Sequence, residues 1–176
     1  MKTLYLIKHA KSDWSVPGES DMERALSKKG RKDINTMGSY LALRGVCPDI
    51  ILSSCALRAQ ETANLLAQKI DFSGSKLYFK ELYLSSPETI KEFIMAQDDQ
   101  MSKIFLVGHN PQVSELVYIL SGEHISKIPP LGIVAIEFDI QEWGELADKQ
   151  GQIDFFINPK QFKYYMPKQI RSTLAD

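Results

Sequence analysis

Two apolar runs along the chain stop abruptly at histidines. Leu4-Tyr5-Leu6-Ile7 ends at Lys8-His9-Ala10, and Ile104-Phe105-Leu106-Val107 ends at Gly108-His109. A short, unbroken apolar run bounded by polar residues reads as a strand buried on both faces. Each histidine is therefore expected where the chain leaves a sheet. Between and after these runs the pattern alternates. Ser27 is a predicted N-cap for a helix carrying Ile34, Met37, Gly38 and Leu41 at helical spacing, with Gly45 as its stop. Pro48-Asp49 introduces the short strand Ile50-Ile51-Leu52, and Ser53-Ser54-Cys55 leads into a helix from about Ala56 to Ile70 with Ala59, Thr62, Ala63 and Leu66 on its inner face. Lys76 to Phe79 is an edge-strand candidate with Glu81 in the loop beyond it. Ser86, Pro87 and Glu88 announce a helix bearing Ile90, Phe93 and Ile94. Asn110 and Pro111 repeat that N-cap and N1 pattern before Val113, Leu116, Val117 and Leu120, which close near Gly122.

Gly132 to Phe138 and Ile153 to Ile157 read as two closing strands, with Gly144 and Gly151 in their connection, and the tail rich in Lys and Tyr shows no clear element. Strands alternating with helices predict an α/β fold, a three-layer α/β/α sandwich around a mostly parallel sheet, to which the closing strands add an antiparallel edge. In such sheets ligands bind outside the carboxyl ends of strands, near a topological switch point. His9 and His109 are expected to meet there. The polar, Pro-Gly-broken loop over 10–21 follows His9 directly and is placed to line or cover the pocket.

Composition narrows this without redirecting it. The 176 residues suit one domain spanning 1–176, and a hydrophobic share of 44% with 24% charged residues is ordinary for a globular chain. A formal net charge of −1 and the lack of a basic run argue against nucleic acid. Nothing resembles a signal-peptide core or a membrane span, so a cytoplasmic location without membrane attachment is expected. Cys47 and Cys55 lack zinc-finger spacing and read as two reduced thiols in or near the core. The three histidines have no metal-ligand spacing, and no phosphate-loop or dinucleotide fingerprint is present, so no cofactor is expected. The oligomeric state is open.

Lys8, His9, Arg58 and His109 gather at strand ends or in adjacent first turns, with Glu81 beyond another strand end. Arg58 stands in a first helical turn, where the helix dipole favours a carboxylate over a cation. Two imidazoles among fixed cations suit a phosphoryl group, whose oxygens need positive donors while a nucleophile attacks in line. Cationic surroundings also keep an attacking imidazole neutral. His124, after Gly122, reads as a surface residue. Trp14 and Tyr83 are either pocket walls or loop packing, and Arg24 is either a site contact or half of a surface pair with Asp21 or Glu23.

These segments resemble the histidine phosphatase superfamily, the phosphoglycerate mutase-like fold, over nearly the whole chain. Lys8-His9-Ala10 is similar to the family's Arg-His-Gly or Arg-His-Ala signature, and Arg24-Ala25-Leu26-Ser27 with Gly30 to its R-x-L-[ST]-x-x-G segment. Pro48-Asp49 through Ser53-Ser54 and Leu57-Arg58-Ala59-Gln60-Glu61-Thr62-Ala63 resemble its second signature, and Val107-Gly108-His109-Asn110-Pro111 its third. The short length and absence of a large inserted cap resemble SixA-like phosphohistidine phosphatases. The resemblance implies His9 as the nucleophile that becomes phosphorylated, Arg58 and His109 as phosphate ligands, Arg24 as a further oxyanion contact held by Asp21, and Glu81 roughly where many members place the proton donor. It also implies a phosphorylated protein, such as a phosphotransfer domain, as substrate. Two alternatives stand beside it: a small phosphate ester as substrate, and a phosphate-recognition module without turnover. The second arises because Lys8 replaces the family's arginine. Lysine keeps the charge and loses the planar fork that grips two oxygens.

Overall fold

The computed structural model describes residues 1–165. Among these, β1 (Lys2–Lys8), β2 (Ile50–Ser54), β3 (Lys76–Phe79), β4 (Lys103–Gly108), β5 (Ile133–Phe138) and β6 (Gln152–Ile157) form one sheet in the order β3-β2-β4-β1-β5-β6. β3, β2, β4 and β1 run parallel, β5 is antiparallel to β1, and β6 is antiparallel to β5. The antiparallel element is therefore an inner strand, and β6, parallel to β1, forms the edge. The helices are α1 (Lys28–Leu43), α2 (Leu57–Lys69), α3 (Glu81–Leu84), α4 (Pro87–Met95), α5 (Gln112–Ser121) and α6 (Pro159–Tyr165).

Alternation along β1 separates the layers, because successive side chains point to opposite faces. Tyr5 and Ile7 pack with Ile34, Met37 and Leu41 of α1, Ala59, Ala63 and Leu66 of α2, and Phe162 of α6. Leu4 and Leu6 pack on the other face with Ile90 and Ile94 of α4 and Val113, Leu116 and Leu120 of α5. Trp143 seals that second layer from a 3-10 turn, Trp143–Ala147, in the connection between the closing strands, its indole donating to the Met101 carbonyl at 2.8 Å.

Expected signals operate at several helix ends. Ser27 accepts from Gly30 N–H and Ser86 from Thr89 N–H, while Gly45 and Gly122 take the left-handed conformation at φ +66° and +74°. Gly30 has a second function: a Cβ there would stand 2.3 Å from the Lys11 carbonyl oxygen, so only glycine lets α1 approach the loop leaving His9.

Other expectations are corrected. Asn110 does not cap α5; it donates to the Ile128 carbonyl at 2.7 Å and accepts from Ser114 Oγ at 3.0 Å, strapping the loop before β5. Glu81 opens the short helix α3 and does not lie in a loop, because burial of Leu82 turns the chain inward. The start of the tail forms α6, whose Phe162 is captured by the α1 and α2 layer, and the rest of the tail lies outside the described residues. Cys55 is half-buried, but Cys47 is exposed on the approach to β2.

Candidate active site

β1 and β4 are neighbours whose register pairs Lys8 with Gly108, so the residues that follow, His9 and His109, leave the sheet side by side. Their rings lie 5.1 Å apart, centre to centre, and both residues are buried. β2 lies on the far side of β4 and brings Ser54 to the same end. Three adjacent parallel strands thus deliver the floor of the site.

The His9 ring has a defined tautomer. Its Nδ1 is 2.7 Å from the Ala10 carbonyl, which can only accept, so Nδ1 carries the proton and Nε2 presents a lone pair. Arg58 Nε donates to that Nε2 at 3.3 Å. The Ala10 peptide is itself fixed, since its N–H donates to Thr62 Oγ1 at 3.1 Å and the Thr62 hydroxyl donates to the Arg58 carbonyl at 2.7 Å. The orientation of the imidazole is thereby tied to the helix that carries the guanidinium. His109 Nδ1 faces Arg58 Nη2 at 3.5 Å, and its Nε2 lies 2.8 Å from Ser54 Oγ. Because the guanidinium only donates, Nδ1 is the accepting nitrogen and Nε2–H points at Ser54.

Arg58 is 5% exposed, deep for a cation that also opposes the helix dipole. Asp21 resolves the conflict: its carbonyl accepts from Arg58 Nη1 at 2.6 Å and its carboxylate from Nη2 at 3.1 Å. The other carboxylate oxygen accepts from Arg24 Nη1 at 2.7 Å, and the Tyr83 hydroxyl also donates to Asp21. Arg24 is buried as well, held by Ser12 Oγ at 3.1 Å with its guanidinium 3.5 Å above the centre of the Trp14 ring. The structure therefore places Arg24 beside the site, and its pairing with Asp21 is part of the site's frame. Tyr83 stands edge-on to His109 at 5.5 Å, so Trp14 and Tyr83 are both walls.

Lys8 is half-buried and lines the same cleft as His9, without an ion pair among the described residues. Glu81 is exposed at the start of α3, and no hydrogen bond or ion pair among the described residues joins it to His9, Arg58 or His109. Ser54, the His109 partner, and Thr62, the Ala10 anchor, are site residues that the linear pattern does not single out. The available signals were a polar pair ending a buried strand and a hydroxyl within an alanine-rich helix face.

Burial, reinforced by neighbouring His109, Lys8 and Arg58, pushes His9 down to about 3. Burial and then Arg58 push His109 down to about 4. Both rings are neutral near pH 7. The Tyr83 hydrogen bond, followed by those from Arg24 and Arg58, holds the Asp21 carboxyl well below its usual range, and burial with Lys127 and Arg58 nearby lowers Lys8.

These shifts give an expected stability profile. Histidines in the unfolded chain titrate near pH 6.5, so between pH 6.5 and about 4 the unfolded state takes up protons that the folded state refuses, and stability falls with pH. The loss between pH 7 and 4.5 is expected to be on the order of 2 kcal/mol per histidine. Asp21, whose pairing is lost only below the usual carboxylate range, is silent in this window. Urea midpoints of wild type and a His9→Gln, His109→Gln double variant at the two pH values check it: the double variant should lose markedly less.

A cleft of about 460 Å³ opens from His9 toward Trp14, Lys11 and Lys160. A larger one of about 840 Å³, between Pro87, Tyr118 and His124, includes none of His9, Arg58 or His109. The chemistry therefore belongs to the smaller cleft. His124 is exposed, as expected. No three side chains of metal-binding type come together among the described residues, and no helix among them is long and apolar enough to cross a membrane.

The central parallel sheet with paired histidines at its carboxyl end defines the phosphoglycerate mutase-like class of α/β protein. The family model described as histidine phosphatase superfamily (branch 1) matches residues 4–81, a span that includes His9, Arg24, Arg58 and Glu81. A structure from Agrobacterium tumefaciens, assigned as the phosphohistidine phosphatase SixA, superimposes with a TM-score of 0.78 at 27% identity over 90% of this chain and 98% of that one. An uncharacterised protein of Mycobacterium tuberculosis is 31% identical over 140 residues, 74% of this chain and 85% of its own. An uncharacterised chloroplast protein of Arabidopsis thaliana is 30% identical over 133 residues, and the match spans 61% of that longer chain and 70% of this one. The chain belongs to the histidine phosphatase superfamily and is SixA-like within it.

Proposed function

We propose that the chain is a phosphatase that takes a phosphoryl group onto His9 Nε2, and that its substrate is phosphohistidine on a protein. The observation that carries the choice of substrate is that, among the described residues, the side-chain partners of His9 and His109 include no carboxylic acid able to give up a proton. Asp21, the carboxylate bonded into the site, is held ionised by Tyr83, Arg24 and Arg58, and Glu81 stands outside the network. An alkoxide leaves poorly without a proton, whereas an imidazole already protonated on its far nitrogen departs as a neutral molecule.

The steps follow from the geometry. The His9 lone pair attacks phosphorus, the P–N bond of the substrate breaks, and that bond's electron pair leaves with the substrate imidazole. Arg58 and the fixed cations near it balance charge on the equatorial oxygens. The Ala10 carbonyl accepts the hydrogen bond of the His9 Nδ1–H throughout, and the proton stays on Nδ1, which stabilises the positive charge gained on forming the phosphohistidine. Water then attacks phosphorus, phosphate departs, and the Nε2 lone pair returns. The SixA likeness of the Agrobacterium structure supports this substrate class.

A general acid contributes about 10²–10⁴-fold where it is needed. Glu81→Gln is therefore expected to leave cleavage of a phosphohistidine peptide unchanged. Phosphate release from that peptide and from p-nitrophenyl phosphate, measured in parallel, decides the point. Loss of both activities would overturn the reading of Glu81 as a bystander. Loss of ester cleavage alone would make Glu81 an acid for esters and favour the small-ester alternative.

A further inference from the structure

The cleft beside His9 is far more basic than the chain as a whole. The formal net charge is −1, yet Lys8, Lys11, Lys29, Lys160 and Arg24 all line this one depression. Asp33 is the carboxylate among its lining residues, and it is taken by Lys29 at 2.7 Å. Arg24 is taken by Asp21. Among the described residues, Lys8, Lys11 and Lys160 have no carboxylate within ion-pair distance.

Their mountings are fixed. Lys8 ends a central strand and its N–H donates to the Gly132 carbonyl at 3.1 Å. The Lys11 carbonyl accepts from both the N–H and the hydroxyl of Ser27, at 2.9 and 3.0 Å, at the point where Gly30 permits close approach. The Lys160 N–H donates to Asn158 Oδ1 at 3.1 Å. Like charges gathered in one concavity repel. Such an arrangement is relieved by an anion in the cleft. His9 itself lines the depression, so a phosphoryl group on it answers the neighbouring Lys8 and Arg24, while Lys11, on the loop after β1, and Lys160, on α6, are left for a further anion.

We infer that this cleft is a second anion subsite, which seats an acidic side chain flanking the phosphohistidine of the substrate protein. The inference rests on the phosphohistidine reading above and adds to it a sequence preference. A volume of about 460 Å³ accommodates a side chain or short loop tip, and Trp14 and the Pro129-Pro130 wall cover its stem. Selection works through charge: each exposed pair adds modestly, and Lys11 and Lys160 together are expected to give about tenfold.

The test uses the full chain and two phosphohistidine peptides of equal length, one with glutamates flanking the phosphorylated residue and one with glutamines. The glutamate peptide is expected to show about tenfold higher kcat/KM at low salt, with the advantage shrinking as salt rises. In a Lys11→Gln, Lys160→Gln double variant the preference should vanish while the glutamine peptide is processed as by wild type. Non-hydrolysable phosphonate versions of both peptides, titrated by calorimetry, read the subsite without turnover. Failure of turnover with the binding preference intact would count against the proposed function alone. Equal binding of the two peptides, or a preference that survives the double variant, would overturn the subsite.

Discussion

Replacing His9 by glutamine is expected to abolish both phosphoryl capture and phosphate release. Glutamine retains much of the ring's size and a hydrogen-bonding end, but it has no lone pair basic enough to attack phosphorus. Removal of a covalent nucleophile typically costs about 10⁴-fold or more in turnover. Wild type incubated with acetyl phosphate or a phosphorylated phosphotransfer domain should carry acid-labile label on His9 and release phosphate with time. His9→Gln should do neither. Label on the variant equal to that on wild type would remove His9 from the mechanism. Wild type that binds phosphorylated protein stably, with neither label nor release, would assign the chain to the recognition-module alternative, for which Lys8 in place of arginine is the distinguishing feature.

Arg58→Lys is expected to be the next most damaging change. The guanidinium meets His9, His109 and two acceptors of Asp21 at once, at distances between 2.6 and 3.5 Å. A lysine ammonium is one point charge and cannot span these positions. Losing a preorganised donor to a developing oxyanion costs about 10²–10³-fold in kcat, and the Asp21 carboxylate left with fewer partners adds disorder. Steady-state kinetics should show the loss mainly in kcat. Circular dichroism must show the variant folded, because the arginine is buried and its removal also disturbs the α2 terminus. A variant that loses less than tenfold would mean that Arg24 or Lys8, and not Arg58, carries the phosphoryl charge.

Several parts of this arrangement were legible in the linear pattern because each depends on neighbours in sequence. The buried strands β1 and β4 are unbroken apolar runs, and α1, α2 and α4 carry their inner faces at helical spacing between local caps. Arg58 stood out because a cation in a first helical turn opposes the local dipole, and such a placement needs a tertiary reason. Asn110 misled because Asn-Pro before an apolar helix is a genuine local start signal; here the side chain finds a better acceptor in the Ile128 carbonyl, 18 residues away. Glu81 misled in the same way. The linear pattern puts it in a loop after a strand end, but it opens α3, where burial of Leu82 turns the helix so that Tyr83 meets His109.

By itself the sequence determined the elements, their α/β order and the two histidines at strand ends, since hydrophobic periodicity and capping act within a few residues. Only the tertiary structure decided which groups share the pocket. Insertion of β4 between β2 and β1 juxtaposes His9, His109 and Ser54, and the loop after β1 returns Asp21 to two arginines. Apart from Asp21 with Arg24, three residues away, those are interactions between residues 37 to 100 positions apart, set by sheet order and by the need of buried charges for partners, which no local pattern encodes.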